Sequence, residues 1–370
     1  MRDRLDTALP VSDDAVMPEV AAAFGYHNRT CVNELWRVNP ADRQRCDAGG
    51  TTAASGGARM AGTIRVGTAS WTDRTLIREA DWYPKRSMSA RERLEFYASV
   101  FTLVEVDATY YHPPSEDLAA LWVERTPQTF RFDVKAYALL TQHPTKPDSL
   151  WADVRAQLPT AVAGKRNVYL SHLPEEAAEL AFERFGAALM PLHSAGKLGA
   201  VFFQMPPWFT AKRTNRAYLE SLPDRLPEFQ LAVELRHGSW MQDAEDRRRT
   251  LGLLADRGLA YVCVDMPQGF ASSLPPVLAA TADLAVVRFH GHNADTWEAK
   301  GITAAERFAY LYSSEELRDW APRVRELAGQ ARETHAVFNN CYRDYGVRNA
   351  RALGDLLGQG VQDGAPDTPT

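Results

Sequence analysis

Seven short apolar runs in this chain finish in residues that can hold, move or stabilise charge. Val104-Glu105-Val106-Asp107 ends in two carboxylates, Phe132-Asp133-Val134-Lys135 in an amine, and the run up to Gln204 in an amide. Val233-Glu234-Leu235-Arg236-His237 ends in a carboxylate, a guanidinium and an imidazole, while Asp265, Arg288 with His290, and Asn339-Asn340 close three more runs. An ionised group at the end of an apolar segment must be paired, hydrated or used on a ligand, because burying it alone is costly. Glu105 and Glu234 are suited to divide general acid and base roles, and Lys135, Arg236 and Arg288 to stabilise developing negative charge. The candidate catalytic residues are therefore Glu105, Lys135, Glu234 and His290. Asp107, Tyr111, Gln204, Arg236, His237, Asp265, Arg288, Asn339 and Asn340 are the candidate ligand-binding set. For any one of them the competing role is an internal ion pair or a helix cap.

Positioning such groups requires elements that bring their ends together. From Ile64 onward, apolar runs with strand character alternate with amphipathic segments, the pattern of β/α units around a parallel sheet. The runs are Ile64 to Thr68, Leu103 to Asp107, Phe130 to Lys135, Leu198 to Gln204, the stretch Leu231 to Trp240, Leu259 to Asp265, Leu284 to His290 and Ala336 to Asn340, with Asn167 to Leu173 as a short extra strand. Helix faces are outlined by Leu94, Tyr97 and Phe101; by Leu118, Leu121, Trp122 and Arg125; by Phe182, Phe185 and Leu189; by Leu251 and Leu254 before a stop at Gly258; by Leu317, Trp320, Val324 and Leu327; and by Ala350, Leu353 and Leu357. Eight strands with intervening helices predict a single (β/α)8 barrel, in which the C-terminal strand ends share one mouth. An open doubly wound sheet competes, but Gly67-Thr68-Ala69-Ser70-Trp71 stands where its Gly-rich phosphate loop belongs. Side chains alternate along a strand, so Glu105 shares a face with Asp107, Glu234 with Arg236, and Arg288 with His290. The insertion from Thr141 to Ala195 is long for one connection and is expected to form a lid or rim.

Composition narrows the classes of function. The chain has 370 residues, 45% of them hydrophobic and 24% charged, with a formal net charge of −5. That balance gives no global reason to bind nucleic acid or an anionic membrane, though a local basic groove remains open. Cys31, Cys46, Cys263 and Cys341 form no CxxC pair and no zinc-like spacing, which reads as scattered thiols of a reducing compartment. Cys341 is expected to be structural. No apolar run reaches membrane-spanning length and no signal-peptide pattern is present, so a cytoplasmic protein without membrane attachment is expected. Residues 1–60 lack periodicity and are expected to be a disordered extension, with a flexible Gly/Ala/Ser/Thr linker from Ala48 to Ala61. The barrel is assigned to 61–358 and a flexible tail to 359–370. Met60 immediately precedes the first strand, which suggests a native product beginning there; N-terminal mass spectrometry of peptides before Met60 tests this. The run Arg247-Arg248-Arg249 reads as a solvated helix face.

Several motifs in order carry a family resemblance: Val66-Gly67-Thr68-Ala69-Ser70-Trp71; Val104-Glu105-Val106-Asp107 with Tyr110-Tyr111 and Pro113; Phe132-Asp133-Val134-Lys135; Gln204-Met205-Pro206-Pro207; Val233 to Trp240; Val287-Arg288-Phe289-His290-Gly291; and Val337-Phe338-Asn339-Asn340. From Ile64 to Leu357 the chain resembles the YecE-like family, also called domain of unknown function family 72. Ala69 stands where Gly is commoner in that family, and Tyr110 where Phe is commoner. The resemblance implies a (β/α)8 barrel and no established reaction. It also implies an architecture similar to that of the metal-dependent apurinic endonuclease barrels, an analogy of fold alone.

Three functions follow from the residues. The first is a hydrolase acting on a phosphoester, nucleotide or nucleic-acid related, with a small polar or phosphorylated ligand as the expected partner and nucleic acid unsupported by the net charge. The second is a glycosidase, which needs two carboxylates about 5 Å or about 6.5–9.5 Å apart. The third is a non-catalytic module for a phosphorylated or sugar-like ligand, with Trp71, Tyr111, Trp208 and Trp240 as stacking surfaces, although Trp240 is expected to pack in the interior. Lys135 also suits a Schiff base, though pairing with Glu105 or Asp133 competes. No cofactor is firmly implied. A single divalent ion held among Glu105, Asp107, Glu234, His237, Asp265, His290 and His292 is compatible with the sequence, whereas the interleaved Lys135, Arg236 and Arg288 argue against a multinuclear centre. Oligomeric state is not readable.

Overall fold

A computed structural model of the chain describes residues 62–359. The expectations for the N-terminal extension, its linker, and the tail beyond residue 359 lie outside the described residues.

Eight parallel strands close into a barrel in sequence order: β1 (Thr63–Ala69), β2 (Leu103–Val106), β3 (Arg131–Lys135), β4 (Leu198–Gln204), β5 (Leu231–Glu234), β6 (Ala260–Asp265), β7 (Leu284–Phe289) and β8 (Glu333–Phe338). Closure is by β1 against β8, in register from Thr63↔Glu333 to Thr68↔Phe338. The β5–β6 seam is much shorter, with Ala232↔Ala260 and Val233↔Tyr261 alone in register. The tightest approach is between β1 and β2, where a Cβ on Gly67 would come within 2.0 Å of the Leu103 carbonyl, so only glycine fits.

The helices between strands form because apolar residues recur on one face and polar side chains satisfy their first turns. Ser89 and Glu92 make a capping box on helix Ala90–Val100, which buries Leu94 and Tyr97. Ser313 and Glu316 do the same for helix Ser314–Ala328, which buries Leu317, Trp320, Val324 and Leu327. Phe182, Phe185 and Leu189 are buried on helix Glu175–Ser194, Leu254 on Ala244–Asp256, and Ala350 and Leu353 on Tyr345–Leu356. On helix Glu116–Glu124 the buried residues are Ala119 and Trp122, while Leu118 and Leu121 are partly exposed, so the apolar stripe there is narrower than its sequence suggests.

One predicted element is absent. Residues 167–173 do not form a strand: Val168 makes a single antiparallel bridge to Thr145, and Leu170–His172 is a short 3₁₀ turn. The ring is already closed by eight strands and offers no edge for a ninth to pair with.

The barrel interior is layered. At the N-terminal end, Asp133 of β3 meets His335 of β8, and Glu333 lies beside Arg65. Above them Ala69, Leu103 and Val337 form an apolar layer separate from the core between barrel and helices. The C-terminal layer is polar again and forms the mouth.

Candidate functional site

Arg288 of β7 is the centre of the mouth and is 1% exposed. Its Nε and one terminal nitrogen donate to the two oxygens of Glu105 at 2.8 and 2.7 Å; its Nη1 donates to Gln204 Oε1 at 2.8 Å and to Glu234 Oε2 at 2.9 Å. One guanidinium thus ties β2, β4, β5 and β7 together by a planar fork that lysine lacks. Glu234 also accepts from Arg236 Nε at 2.5 Å and lies 3.3 Å from His290 Nε2. On its other side, His290 Nδ1 is 2.9 Å from the Asn339 amide nitrogen. A neutral ring that accepts from Asn339 and turns its Nε2–H to Glu234 satisfies both contacts. At the open edge, Lys135 Nζ is 3.2 Å from Asp107 Oδ1 and lies 5.3 Å above the Tyr110 ring.

The electrostatics of the cluster are uneven. Complete burial pushes the Glu105 carboxyl up, to about 8, against the Arg288 guanidinium and with help from neighbouring Asp107. Burial also opposes the charge on Asp107, but Lys135 and Arg288 outweigh it and hold this carboxyl below its usual range. Glu234 likewise overcomes burial through Arg236 and Arg288 and stays well below the carboxylate norm. Burial and then Arg236 push the His290 imidazole down to about 3. His143, from the insertion after β3, is pushed down to about 4 by burial and by Lys135 and Arg236, which places it on the same side of the mouth as both cations. Three cations, Lys135, Arg236 and Arg288, therefore face three carboxyl groups, Glu105, Asp107 and Glu234.

Nine of the candidate residues, Glu105, Asp107, Lys135, Gln204, Glu234, Arg236, Arg288, His290 and Asn339, form one connected network. The other four lie outside it. His237 Nδ1 accepts the Ser239 N–H at 3.1 Å and caps the turn Gly238–Trp240. Asp265 bonds His292 Nε2 at 2.9 Å. Asn340 is wholly buried and donates to the Tyr310 carbonyl and to Asn349, pinning the loop after β7 and the closing helix. Tyr111 is 68% exposed on the rim. Trp71 and Trp240 are buried, and Trp208 is 55% exposed. Cys341 Sγ donates to the Ala69 carbonyl, and Arg249 pairs with Glu245 along its helix.

Sequence reasoning missed Trp297 and Phe308, which wall the site. Arg236 lies 5.2 Å over the Trp297 ring, and His290 packs 5.6 Å from Phe308. Both come from the aperiodic connection after β7, which carries no signal beyond the presence of aromatics in a polar loop. Among the described residues, no group of three or more His, Cys, Asp or Glu side chains is arranged to hold a metal ion. Within the same residues no helix is long and apolar enough to cross a membrane.

A closed parallel barrel whose C-terminal mouth is filled by an arginine-centred network defines the class of this protein: a (β/α)8 barrel with a polar, charge-balanced mouth. The chain belongs to the family described as protein of unknown function DUF72, whose model matches residues 65–370. The UPF0759 protein YunF of Bacillus subtilis is 31% identical over 298 residues, covering 80% of this chain and 94% of that one. Two solved DUF72 proteins share the fold. One from Enterococcus faecalis superposes with a TM-score of 0.66 at 25% identity, covering 83% of this chain and 100% of that one. One from Thermotoga maritima gives 0.61 at 31% identity, covering 80% and 99%.

Proposed function

We propose that the mouth binds a small anionic ligand and hydrolyses a phosphoester in it. The observation that carries this reading is the pair Glu105 and Asp107, two carboxyls on one strand face whose environments drive their proton affinities apart, beside Lys135 and Arg236. Pairs of that kind divide acid and base roles. Asp107, 31% exposed in its side chain, is the member that meets solvent, and as a carboxylate it can take a proton from an attacking water. Glu105 lies behind it, wholly buried, with a proton affinity raised by burial and by Asp107 against the pull of Arg288. Lys135 and Arg236 face the phosphoryl group, whose negative charge they stabilise. Glu234 and His290 are wholly buried and act through Arg236 and Arg288. A glycosidase needs open space between two carboxylates, and here Arg288 fills the space between Glu105 and Glu234.

A second reading, binding without turnover, is favoured by the same lock: both glutamates spend their oxygens on arginines. Phosphate release from a panel of phosphate monoesters, with and without added divalent cation, separates the two. A hydrolase predicts that Asp107→Asn lowers turnover about 10²- to 10⁴-fold while calorimetric binding persists. Binding with no turnover of any ester by the wild type would leave the module.

A further inference from the structure

We propose that the ligand of this mouth carries a ring joined to its anionic group, and that Trp208 and Tyr111 are the surfaces on which the ring stacks. The anionic half of this statement rests on the function proposed above; the ring half rests on a separate observation.

Tyr111 and Trp208 are the most exposed large hydrophobic side chains among the described residues, at 68% and 55%. A single exposed aromatic is ordinary on a soluble surface, but these two end one continuous row. Tyr111 lies 5.0 Å from Tyr110, Tyr110 lies 5.2 Å from His143, and His143 lies 5.7 Å from Trp208, all edge to face. The row draws on three successive connections, those after β2, β3 and β4. Its middle borders the charged site, since Lys135 sits over the Tyr110 ring.

His143 is fixed there by a 2.8 Å hydrogen bond between its Nδ1 and Thr141 Oγ1 and is 8% exposed, so the middle of the row is rigid while its ends are open. Next to the row stand donors with capacity to spare. Arg236 uses Nε on Glu234 and has Nη2 3.3 Å from His290 Nε2, which leaves Nη1; Lys135 makes one ion pair, and Gln204 gives only its oxygen to Arg288. An anion seated by Lys135, Arg236 and the Gln204 amide would therefore lie beside a row of rings whose open ends are Tyr111 and Trp208. A nucleobase offers a π-face and a pyranose ring its C–H face to such a surface; the shared chemistry is a flat ring face carrying a phosphoryl group.

Calorimetry on the full chain with inorganic phosphate, glycerol 3-phosphate, glucose 6-phosphate and AMP tests this. At least one ring-bearing phosphate is expected to bind about tenfold tighter than glycerol 3-phosphate, Trp208→Ala to remove that advantage, and Trp208→Phe to keep most of it, with affinity for inorganic phosphate unchanged throughout. A preference for AMP assigns a base, and a preference for glucose 6-phosphate assigns a sugar. Binding of adenosine or glucose that depends on Trp208, without binding of either ringless phosphate, would sink the anion seat and leave the ring surface standing. Ring compounds that bind no better than glycerol 3-phosphate, or equally well to Trp208→Ala and Tyr111→Ala, overturn the proposal.

Discussion

Replacing His335 by Gln is expected to flatten the alkaline side of the stability profile. His335 is wholly buried at the N-terminal end of the barrel, with Nδ1 2.9 and 3.0 Å from the two oxygens of Asp133 and Nε2 3.1 Å from Glu333. Burial alone would depress its proton affinity, but Asp133 and then Glu333 reverse that effect and raise it from 6.5 to about 9. A histidine bound more tightly to its proton in the folded state contributes stability in full below its unfolded value of 6.5, and loses it as pH rises through 9. At about 1.4 kcal/mol per pH unit, the contribution is about 3 kcal/mol, most of it lost between pH 7 and 9.5. That corresponds to a fall of about 5 to 10 °C in Tm for a chain of this size. Urea or thermal unfolding of wild type and His335→Gln at both pH values reads the difference directly. The variant is expected to be weaker at pH 7 by about 3–5 kcal/mol, because Asp133 is left buried without its partner, yet to decline far less toward pH 9.5. Glu105, whose raised value makes stability fall between its unfolded range and about 8, titrates in both proteins and cancels in the comparison. Parallel declines in the two proteins would refute the reasoning.

Two further outcomes follow from the same geometry. Gly199→Ala would place a Cβ 2.5 Å from Asp133 Oδ1 and 2.8 Å from His335 Cε1, so denaturant unfolding should show a loss of about 1–3 kcal/mol from overpacking. His292 joins Asp265 at the end of β6 to Glu316 on helix Ser314–Ala328, with Nδ1 3.3 Å from Glu316, and Asp265 raises its proton affinity. His292→Gln should speed amide hydrogen exchange in residues 293–311 without altering exchange in the barrel strands; unchanged exchange in that loop would mean the bridge does not hold it.

Alternation along the strands made the mouth readable from the sequence, because a carboxylate or guanidinium two residues from another on an apolar run has few places to go. It placed Glu105 with Asp107 and Glu234 with Arg236, and the eight strands themselves followed from the spacing of their apolar runs. Alternation says which way a side chain points but not what it meets across the ring. Arg288 and Glu105 are 183 residues apart on strands that are not neighbours, and no local pattern links them. The same blindness hid the Asp133–His335 pair, since His335 sits at the start of β8, before the stretch whose polar ending drew attention. Asn340 looked like a ligand group because it follows Asn339, yet one step along the chain turns its side chain outward to Tyr310 and Asn349. Residues 167–173 had strand composition, and what denied them a strand was the lack of a free edge.

The ring of strands resembles a clasp fastened unevenly. Its catch, β1 against β8, holds over six register pairs, whereas the link between β5 and β6 holds over two. Because β5 leaves the ladder at Glu234, the backbone of Leu235 and Arg236 is released from its neighbour at the height where the barrel opens. The Arg236 guanidinium is thus carried two residues beyond the last residue of the strand. Among the arginines of the mouth, Arg288 is fixed by the ladder of its own strand, whereas Arg236 is fixed by its side chain, through Glu234 and the Trp297 ring.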